Sequence, residues 1–459
     1  MRRYAVVGTG ARAGMYVGAL AGAHAEDGVI VAWCDPNSVR MSYYDEVLAA
    51  AGRPRPARYQ PGEFGPLLAQ ERPDAVIVTS PDVTHPRYAA TALAAGCDVI
   101  LEKPVAADAD GARLLADAAS AAADAGTGEL IVTFNYRYSP RNSALRQVIA
   151  DGTIGNVTSV HFEWVLDTVH GADYFRRWHR EKSSSGGLLV HKASHHFDLV
   201  NWWLRDIPAS VYAAGALRFY GDINARERGL AGRPGRSRGA PGMAGDLFAL
   251  DLAADDRLRR LYLEAESEDG YLRDRDVFSA GITIEDNAAV LVTYGSGAFL
   301  TYSLNAHSPW EGYRVSVNGD AGRAELDVVE RGHVRSASDG GISGRPAVDP
   351  MAAGQEPETG NDVRPSSERL VVQRHWEPAY TVPIVRGPGG HGGGDARMLS
   401  AIFRRDGTPD PLGRQAGYID GLRSVLTGLA ANMSIAASRV VDLSEFAVPL
   451  TRDSGPYVR

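Results

Sequence analysis

The sequence predicts an α/β protein in which a doubly wound parallel sheet at the N-terminus is followed by a second α/β domain built on antiparallel strands. Short, nearly uninterrupted apolar strands alternate with helical segments up to Phe134, as a parallel sheet covered on both faces requires. Alternating patterns separated by tight turns recur at 157–164, 282–294, 298–304 and 313–317, which favours an antiparallel sheet. The 459 residues, 44% of them apolar, are enough for two or three domains.

The first strand, over residues 3–7, leads into a glycine-rich turn and then a helical segment. A dinucleotide diphosphate binds where the backbone N–H groups of such a turn meet a helix N-terminus, and side chains there would block its approach. We therefore expect Gly8 to make the turn, Gly10 to admit the phosphate and Ala13 to occupy the third position of the motif. The turn belongs to a predicted N-terminal dinucleotide-binding domain, which is a Rossmann domain.

The second strand ends at Asp35, about 20 residues beyond the glycine turn. A carboxylate at this point accepts a hydrogen bond from the ribose 2′-hydroxyl and repels a 2′-phosphate. The sequence therefore favours NAD as the cofactor. Arg40, which follows closely, keeps NADP as the alternative.

Composition excludes several classes of partner. A net charge of −8 and a pI near 5.9 argue against nucleic acid, whose binding proteins carry a basic surplus. No apolar run approaches the roughly 20 residues that cross a bilayer, so no membrane association is expected. Cys34 and Cys97 are the only cysteines, which predicts a reducing compartment and therefore a cytoplasmic protein.

Three motifs around the end of the fifth strand carry a resemblance to a known family. Glu102, Lys103 and Pro104 directly follow the strand in VILEKPVAAD, after the segment TSPDVTH (79–85) and before TFNYRYSP (133–140). This set resembles the Gfo/Idh/MocA family, named for glucose–fructose oxidoreductase and inositol dehydrogenase. The resemblance implies a nucleotide-binding domain, here 1–134, and an α/β domain with a large, mostly antiparallel open sheet, here 135–459. Within the second domain, 222–245 and 334–366 are predicted to be long loops.

The same resemblance implies NAD(P)-linked oxidation of a sugar or polyol hydroxyl. It places Lys103 between nicotinamide and substrate, where an ammonium stabilises developing alkoxide charge and can share its proton. Glu102 and Pro104 would shape the strand end, and the Lys103–Pro104 bond is a candidate for a cis peptide. The implied cofactor-binding residues also include Thr79, Ser80, Pro81, His85, Asn135 and Arg137.

A histidine-rich helix is predicted in SGGLLVHKASHHFDLVNWWL (185–204). At about 100° per residue, His191, His195 and Asp198 share one face, whereas Lys192 and His196 point to the side. We expect His195 to be the general base that accepts the substrate hydroxyl proton. Asp198, one turn further on, would orient it or contact the substrate.

His191 stands where members of this family usually carry an aspartate, and three interpretations of it remain open. It can be a second proton-transfer group or a sugar contact. It can form a divalent-metal site together with His195, since histidines at i and i+4 suit such ions, although no metal is the first expectation. A purely structural role is the third.

Three further residues are candidates for substrate contact: Tyr138, Trp178 and His391. Trp178 lies in HGADYFRRWHR, which suits either sugar rings or a packed corner. His391 lies in a glycine-rich stretch, RGPGGHGGGDARML, that would form the rim of the site, with Asp395 capping the next helix.

The stretch around His391 resembles a Gly-His-Gly-Gly segment of NAD-dependent glycosidases with the same fold. Those enzymes oxidise a sugar hydroxyl transiently, eliminate the aglycone and reduce the product again, so an NAD-recycling glycosidase or lyase is the alternative function. A non-catalytic cofactor-binding regulator is a third possibility. A wide sheet with one uncovered face also predicts a homodimer or homotetramer.

Overall fold

The computed structural model of the protein describes residues 1–243, 245–336, 342–343, 363–385, 387, 390–405 and 407–451. The side chains of residues 335–336, 342–343 and 390–391 lie outside this description. The strands are β1 (Arg2–Val7), β2 (Gly28–Cys34), β3 (Ala57–Tyr59), β4 (Ala75–Val78), β5 (Asp98–Leu101), β6 (Leu130–Val132), β7 (Val157–Asp167), β8 (Pro208–Ala216), β9 (Asn287–Tyr294), β10 (Phe299–Ser308), β11 (Glu311–Gly319), β12 (Gly322–Arg331), β13 (Arg335–Ser336), β14 (Ile342–Ser343), β15 (Ser367–Arg374), β16 (Tyr380–Val382), β17 (Ala416–Gly417) and β18 (Val441–Asp442). The α-helices are α1 (Ala13–Ala21), α2 (Ser38–Ala50), α3 (Phe64–Glu71), α4 (His85–Ala94), α5 (Ala109–Ala125), α6 (Pro140–Ala150), α7 (His170–Arg176), α8 (Lys182–Ser185), α9 (Leu188–His191), α10 (Ala193–Leu204), α11 (Asp222–Glu227), α12 (Asp256–Leu258), α13 (Glu266–Asp269), α14 (Gly390–Arg404) and α15 (Tyr418–Ala437).

The N-terminal strands form a seven-stranded sheet in the order β17-β6-β5-β4-β1-β2-β3. Strands β1 to β6 are parallel, in the doubly wound order of a Rossmann domain, and only β17 runs antiparallel. All four residues of β4 are buried, because helices cover both faces of such a sheet. The predicted fold of this domain is confirmed.

Helix α5 illustrates how local sequence sets the boundaries of these elements. The Asp108 side chain caps its N-terminus by accepting a hydrogen bond from the Gly111 amide at 2.7 Å. Gly126 ends the helix at φ +67, a left-handed conformation that glycine adopts without steric cost.

The second sheet has nine strands in the order β16-β15-β12-β11-β7-β10-β9-β8-β18. Its neighbours are antiparallel except for β7 and β10. The predicted strands at 157–164, 282–294, 298–304 and 313–317 correspond to β7, β9, β10 and β11. Residues of β9 alternate strictly between exposed and buried, because one face of the sheet packs on the core and the other does not. The mostly antiparallel sheet is confirmed.

The two tracts predicted as loops differ from one another. The first begins with the short helix α11, so its N-terminal part is not a loop. Most of the second, 334–366, lies outside the described residues. Among the residues that the structure does describe, no helix is long and apolar enough to cross a membrane.

Candidate active site

The glycine turn brings the end of β1 against the end of β4. Gly8 has φ +85, and a Cβ added to it would lie 2.6 Å from the Ser80 backbone nitrogen. Only glycine therefore fits at this crossing. A Cβ at Gly10 would meet nothing nearer than the Tyr262 hydroxyl at 3.6 Å. Helix α1 begins directly after the turn, at Ala13.

Asp35 lies at the end of β2 and is buried. Its Oδ2 accepts a hydrogen bond from the Thr9 amide at 2.6 Å, and its Oδ1 accepts one from the Asn37 amide at 2.8 Å. Burial raises the pKa of this carboxyl, against these hydrogen bonds. Arg40 approaches Asp35 Oδ1 at 3.9 Å but binds Asp269 Oδ2 at 2.6 Å. The carboxylate thus fixes the glycine turn, and a carboxylate of the opposite domain holds Arg40.

The segment after β4 also contacts the glycine turn. Thr79 donates its hydroxyl to the Gly8 carbonyl oxygen at 2.6 Å, and the hydroxyl oxygens of Ser80 and Thr84 lie 2.6 Å apart. His85 is buried at the start of α4, with its ring nitrogens 2.7 Å and 2.9 Å from the carbonyl oxygens of Pro104 and Ser80. His85 therefore joins two backbone segments rather than facing the cleft, which differs from its predicted place at the cofactor edge.

Glu102, Lys103 and Pro104 follow β5, and the Lys103–Pro104 bond is cis, as the sequence suggested. Glu102 is buried and accepts hydrogen bonds at 2.6 Å from Arg12 Nε and from the Tyr16 hydroxyl, which ties the end of β5 to helix α1. Lys103 is half-buried and donates from Nζ to the carbonyl oxygen of His191 at 3.1 Å.

The histidine segment is interrupted, because α9 ends at His191 and α10 starts at Ala193. His191 Nδ1 lies 2.5 Å from Asp82 Oδ2. Three aromatic rings lie edge-on to this imidazole: His179, Tyr174 and Trp178, at 4.2 Å, 5.6 Å and 6.0 Å between ring centroids. Trp178 itself stacks on His179 at 3.6 Å. The site residue that sequence reasoning missed is Asp82. It lies inside the quoted TSPDVTH motif, but its partner is far away in the chain.

His195 lies flat against Tyr136, with 4.2 Å between ring centroids and 12° between ring planes. It is 6% exposed, and its Nδ1 is buried without a hydrogen-bond partner within the described part of the chain. Lys192 and His196 are also buried. Lys192 donates to the Tyr136 hydroxyl at 2.9 Å, and His196 stacks on Trp164 at 4.0 Å. Trp164 of β7 contacts both side chains.

Asp198 does not lie open to a substrate. Both of its carboxylate oxygens bind Arg137, at 2.8 Å from Nε and 2.5 Å from Nη2, and both side chains are 1% exposed. Arg137 also lies 3.1 Å from Asp420 at the start of α15. The predicted roles of Asp198 toward a substrate and of Arg137 toward a cofactor are thereby replaced by a buried ion pair that connects two helices.

Two further predicted site residues, Tyr138 and Asn135, contact helix α14. Tyr138 is buried in the apolar core with residues such as Met398 and Phe403 of that helix. Asn135 donates from its side-chain amide to Asp395 at 2.7 Å. Because α14 begins at Gly390, Asp395 lies within the helix and is not its cap. The side chain of His391, in the first turn, lies outside the described residues.

The lysine and the two histidines of the candidate site differ in their charge at neutral pH. Burial lowers the pKa of Lys103 to about 8, although the charges of Asp82 and Glu102 oppose this shift. Burial, and then the charge of Lys103, lower the pKa values of His191 and His195 well below their usual range. Burial raises the pKa of Asp82, against the charge of Lys103. At neutral pH the two imidazoles are therefore uncharged bases beside a cation.

A metal site formed by His191 and His195 would need a third ligand. Within the ranges that the structure describes, no group of three or more histidine, cysteine or acidic side chains is placed to hold a metal ion. His191 Nδ1 also lies against Asp82.

Fold and site together define a two-domain oxidoreductase with a dinucleotide-binding domain. Residues 2–125 match the NAD-binding Rossmann fold of an oxidoreductase family, and residues 146–355 match the C-terminal alpha/beta domain of the same family. The chain belongs to the Gfo/Idh/MocA family.

Named relatives support this membership. YteT of Bacillus subtilis (strain 168), named as an oxidoreductase, is 34% identical over 393 residues, which cover 83% of this chain and 84% of that protein. Shorter matches involve an inositol 2-dehydrogenase of Rhizobium meliloti (strain 1021), at 31% identity over 31% of this chain and 40% of that protein. A glycosyl hydrolase family 109 protein of Streptomyces coelicolor matches at 27% identity over 40% of each.

A solved structure shows the same fold over nearly the whole chain. The WlbA dehydrogenase from Bordetella pertussis, in complex with NADH and UDP-GlcNAcA, superimposes with a TM-score of 0.60 and 18% identity. The match covers 96% of this chain and 98% of that one.

Proposed function

We propose that the protein oxidises a secondary hydroxyl of a sugar, polyol or sugar derivative with NAD, assisted by Lys103 and His195. The observation that carries this proposal is a half-buried lysine directly after β5 whose charge acts on two neutral imidazoles, next to a glutamate tied to helix α1. A nicotinamide bound there would supply the acceptor for the hydride of the carbinol carbon.

The residues of the chain fit such a cofactor. The turn at Gly8 and the missing side chain at Gly10 would let a diphosphate approach the backbone at the N-terminus of α1, where the Tyr262 hydroxyl now lies 3.6 Å from the position of a Gly10 Cβ. Thr79, Ser80 and Pro81 would line the cofactor edge, and Asp35 would hold the ribose. His85 and Glu102 would act indirectly, since their side chains position the backbone around Lys103.

In the proposed reaction, His195 accepts the hydroxyl proton and the Lys103 ammonium stabilises the developing negative charge on oxygen. Asp82 holds His191 by hydrogen bonding to Nδ1, which leaves Nε2 as the ring nitrogen available to a substrate hydroxyl. Trp178, beside His191, would add an aromatic face against which a sugar ring can pack. His195 and His191 therefore have different roles: the first accepts the proton and the second positions the substrate.

The experiment that tests this function is a screen of sugars, cyclitols and aryl glycosides, followed for NADH formation and for aglycone release. A dehydrogenase forms stoichiometric NADH. The alternative, an NAD-recycling glycosidase, releases aglycone without net NADH; the partial similarity to a glycosyl hydrolase family 109 protein favours testing it. Parallel assays with a chelator should give unchanged rates, because neither mechanism uses a metal.

Cofactor choice provides a prediction. Asp35→Ala should weaken NADH binding about tenfold, since it removes a charged acceptor of the ribose hydroxyl, and should reduce the preference for NADH over NADPH. Fluorescence titration with both cofactors measures this. Asp110→Ala, which removes a 95% exposed carboxylate in the first turn of α5, serves as the control. A wild-type protein that binds NADPH more tightly would contradict the assignment.

The uncovered face of the second sheet supports a homodimer or homotetramer. Tyr212, Leu291 and Phe299 on neighbouring strands are 46%, 41% and 41% exposed, which is unusual for large apolar residues on one surface. Light scattering should give a mass of two or four chains, and Leu291→Arg should lower it. A monomeric wild-type protein would refute this prediction.

Localisation follows from cysteine chemistry. Both Cys34 and Cys97 are buried as free thiols, and we infer the cytoplasm, where thiols stay reduced. The net negative charge argues against a nucleic-acid partner.

A further inference from the structure

A segment of the C-terminal domain lies across the dinucleotide-binding domain. Residues 251–271, between β8 and β9, contain α12, a π-helical turn (Arg259–Leu263) and α13; we call this segment the strap. Its residues Leu258 and Leu261 are fully buried, in a core shared with Tyr16 of α1 and Met41 of α2. Burying such side chains stabilises the docked position by removing apolar surface from water. The strap is thus packed onto the nucleotide domain.

The strap contacts the glycine turn directly. The Tyr262 hydroxyl accepts a hydrogen bond from the Ala11 amide at 3.0 Å, and Arg257 Nη2 donates to the Ala11 carbonyl at 2.7 Å. A Cβ added to Gly14 would lie 2.3 Å from the same Arg257 nitrogen. A hydroxyl and a guanidinium therefore stand at the first turn of α1, where a backbone N–H group and the helix dipole favour an anion.

The charge at this point is not balanced by the protein. In the described part of the chain, no carboxylate lies within 4.0 Å of the Arg257 guanidinium, whereas its neighbour Arg12 is paired with Glu102. A cation at a helix N-terminus is electrostatically unfavourable. A diphosphate between Arg257 and the helix would remove this repulsion through charge-assisted hydrogen bonds.

The far end of the strap is fixed to the loop that follows Asp35. Asn37 donates to the Ala265 carbonyl at 2.9 Å, Ser38 donates its hydroxyl to Glu268 at 2.6 Å, and Arg40 binds Asp269 at 2.6 Å. The strap therefore spans from the expected diphosphate position to the expected ribose position.

We propose that the strap clasps the bound dinucleotide, with Arg257 and Tyr262 donating hydrogen bonds to its diphosphate, so that release requires the strap to detach. The proposal rests on the proposed function, because it assumes a dinucleotide at the glycine turn. In this structure the Tyr262 hydroxyl accepts the hydrogen bond of the Ala11 amide; with a dinucleotide bound, a phosphate oxygen would accept that bond instead and Tyr262 would turn its hydroxyl to donate to the phosphate.

Release of NADH tests the clasp without any substrate. Protein loaded with NADH is mixed with excess NAD, and the fluorescence change gives the dissociation rate. Arg257→Gln should accelerate release about tenfold or more, and Tyr262→Phe about threefold. Arg260→Gln, on the same strap but paired with Glu46 at the surface, should change the rate less than twofold. Arg257→Lys, which keeps the charge, should lie between wild type and Arg257→Gln.

Binding of ADP-ribose and of adenosine tests whether Arg257 contacts the diphosphate. Arg257→Gln should weaken ADP-ribose binding as much as NADH binding and leave adenosine binding unchanged. Unchanged or tighter NADH binding by a folded Arg257→Gln variant would overturn the clasp, because a strap that merely blocks the site predicts that result. A wild-type protein that binds no NADH would overturn the proposed function as well, so the two failures are distinguishable.

Discussion

Replacing Lys103 with alanine is expected to lower kcat by about 10²- to 10⁴-fold, the usual contribution of a positioned proton-transfer or charge-stabilising group. NADH binding should change little, because Glu102 and not Lys103 ties the end of β5 to helix α1. Steady-state kinetics and fluorescence titration separate the two effects. Lys182→Ala, which removes a lysine paired with Glu285, is the matched control.

The pH profile makes this prediction sharper. Burial lowers the pKa of Lys103 to about 8, so the ammonium deprotonates as pH rises through that value, and kcat should fall there. His191 and His195 have pKa values well below the usual range and stay neutral from pH 7 to 9. The residual activity of Lys103→Ala should therefore show no change near pH 8. A wild-type rate that rises through pH 8 would give the proton-accepting role to Lys103 and remove it from His195.

Arg137→Leu is expected to cost about 3–5 kcal/mol of unfolding free energy, because breaking a buried pair leaves an uncompensated group. Both oxygens of Asp198 depend on this guanidinium. Thermal unfolding measures the loss. Arg113→Leu, which breaks an exposed pair with Asp110, should change stability by less than about 1 kcal/mol.

The pH dependence of this variant has a definite sign. Burial raises the pKa of Asp198 to about 7 even with Arg137 present, and loss of the guanidinium raises it further. The folded variant then holds a proton that the unfolded chain, with a pKa of 3.8, releases. Stability is therefore greatest at low pH and decreases as pH rises from about 4 through 7. A melting temperature that rises more steeply than that of the wild type over this window would contradict the assignment. Replacing both partners by apolar residues should restore stability in part.

Local sequence was sufficient for the elements whose signals lie within a few residues. The strand, glycine turn and helix at Gly8, the acidic end of β2 at Asp35 and the cis bond at Lys103 all follow from short patterns. These patterns work because backbone conformation and strand burial depend on neighbouring residues. The same is true of the alternating strands in the second sheet.

The errors concern side chains whose partners are distant in the chain. Helix geometry places Asp198 on the same face as His195, but it does not reveal that Arg137 occupies that face. Helical periodicity also cannot show that Trp164 of the second sheet packs against Lys192 and His196.

The sequence by itself determined the fold class, the family and the lysine and histidines of the candidate site, because each is encoded in a contiguous motif. Tertiary structure alone decided which of these groups meet. Asp82 and His191 are 109 residues apart, and Ala11 and Tyr262 are 251 apart. Such contacts depend on how two sheets and a strap pack together, and a single sequence carries no local signal of that packing.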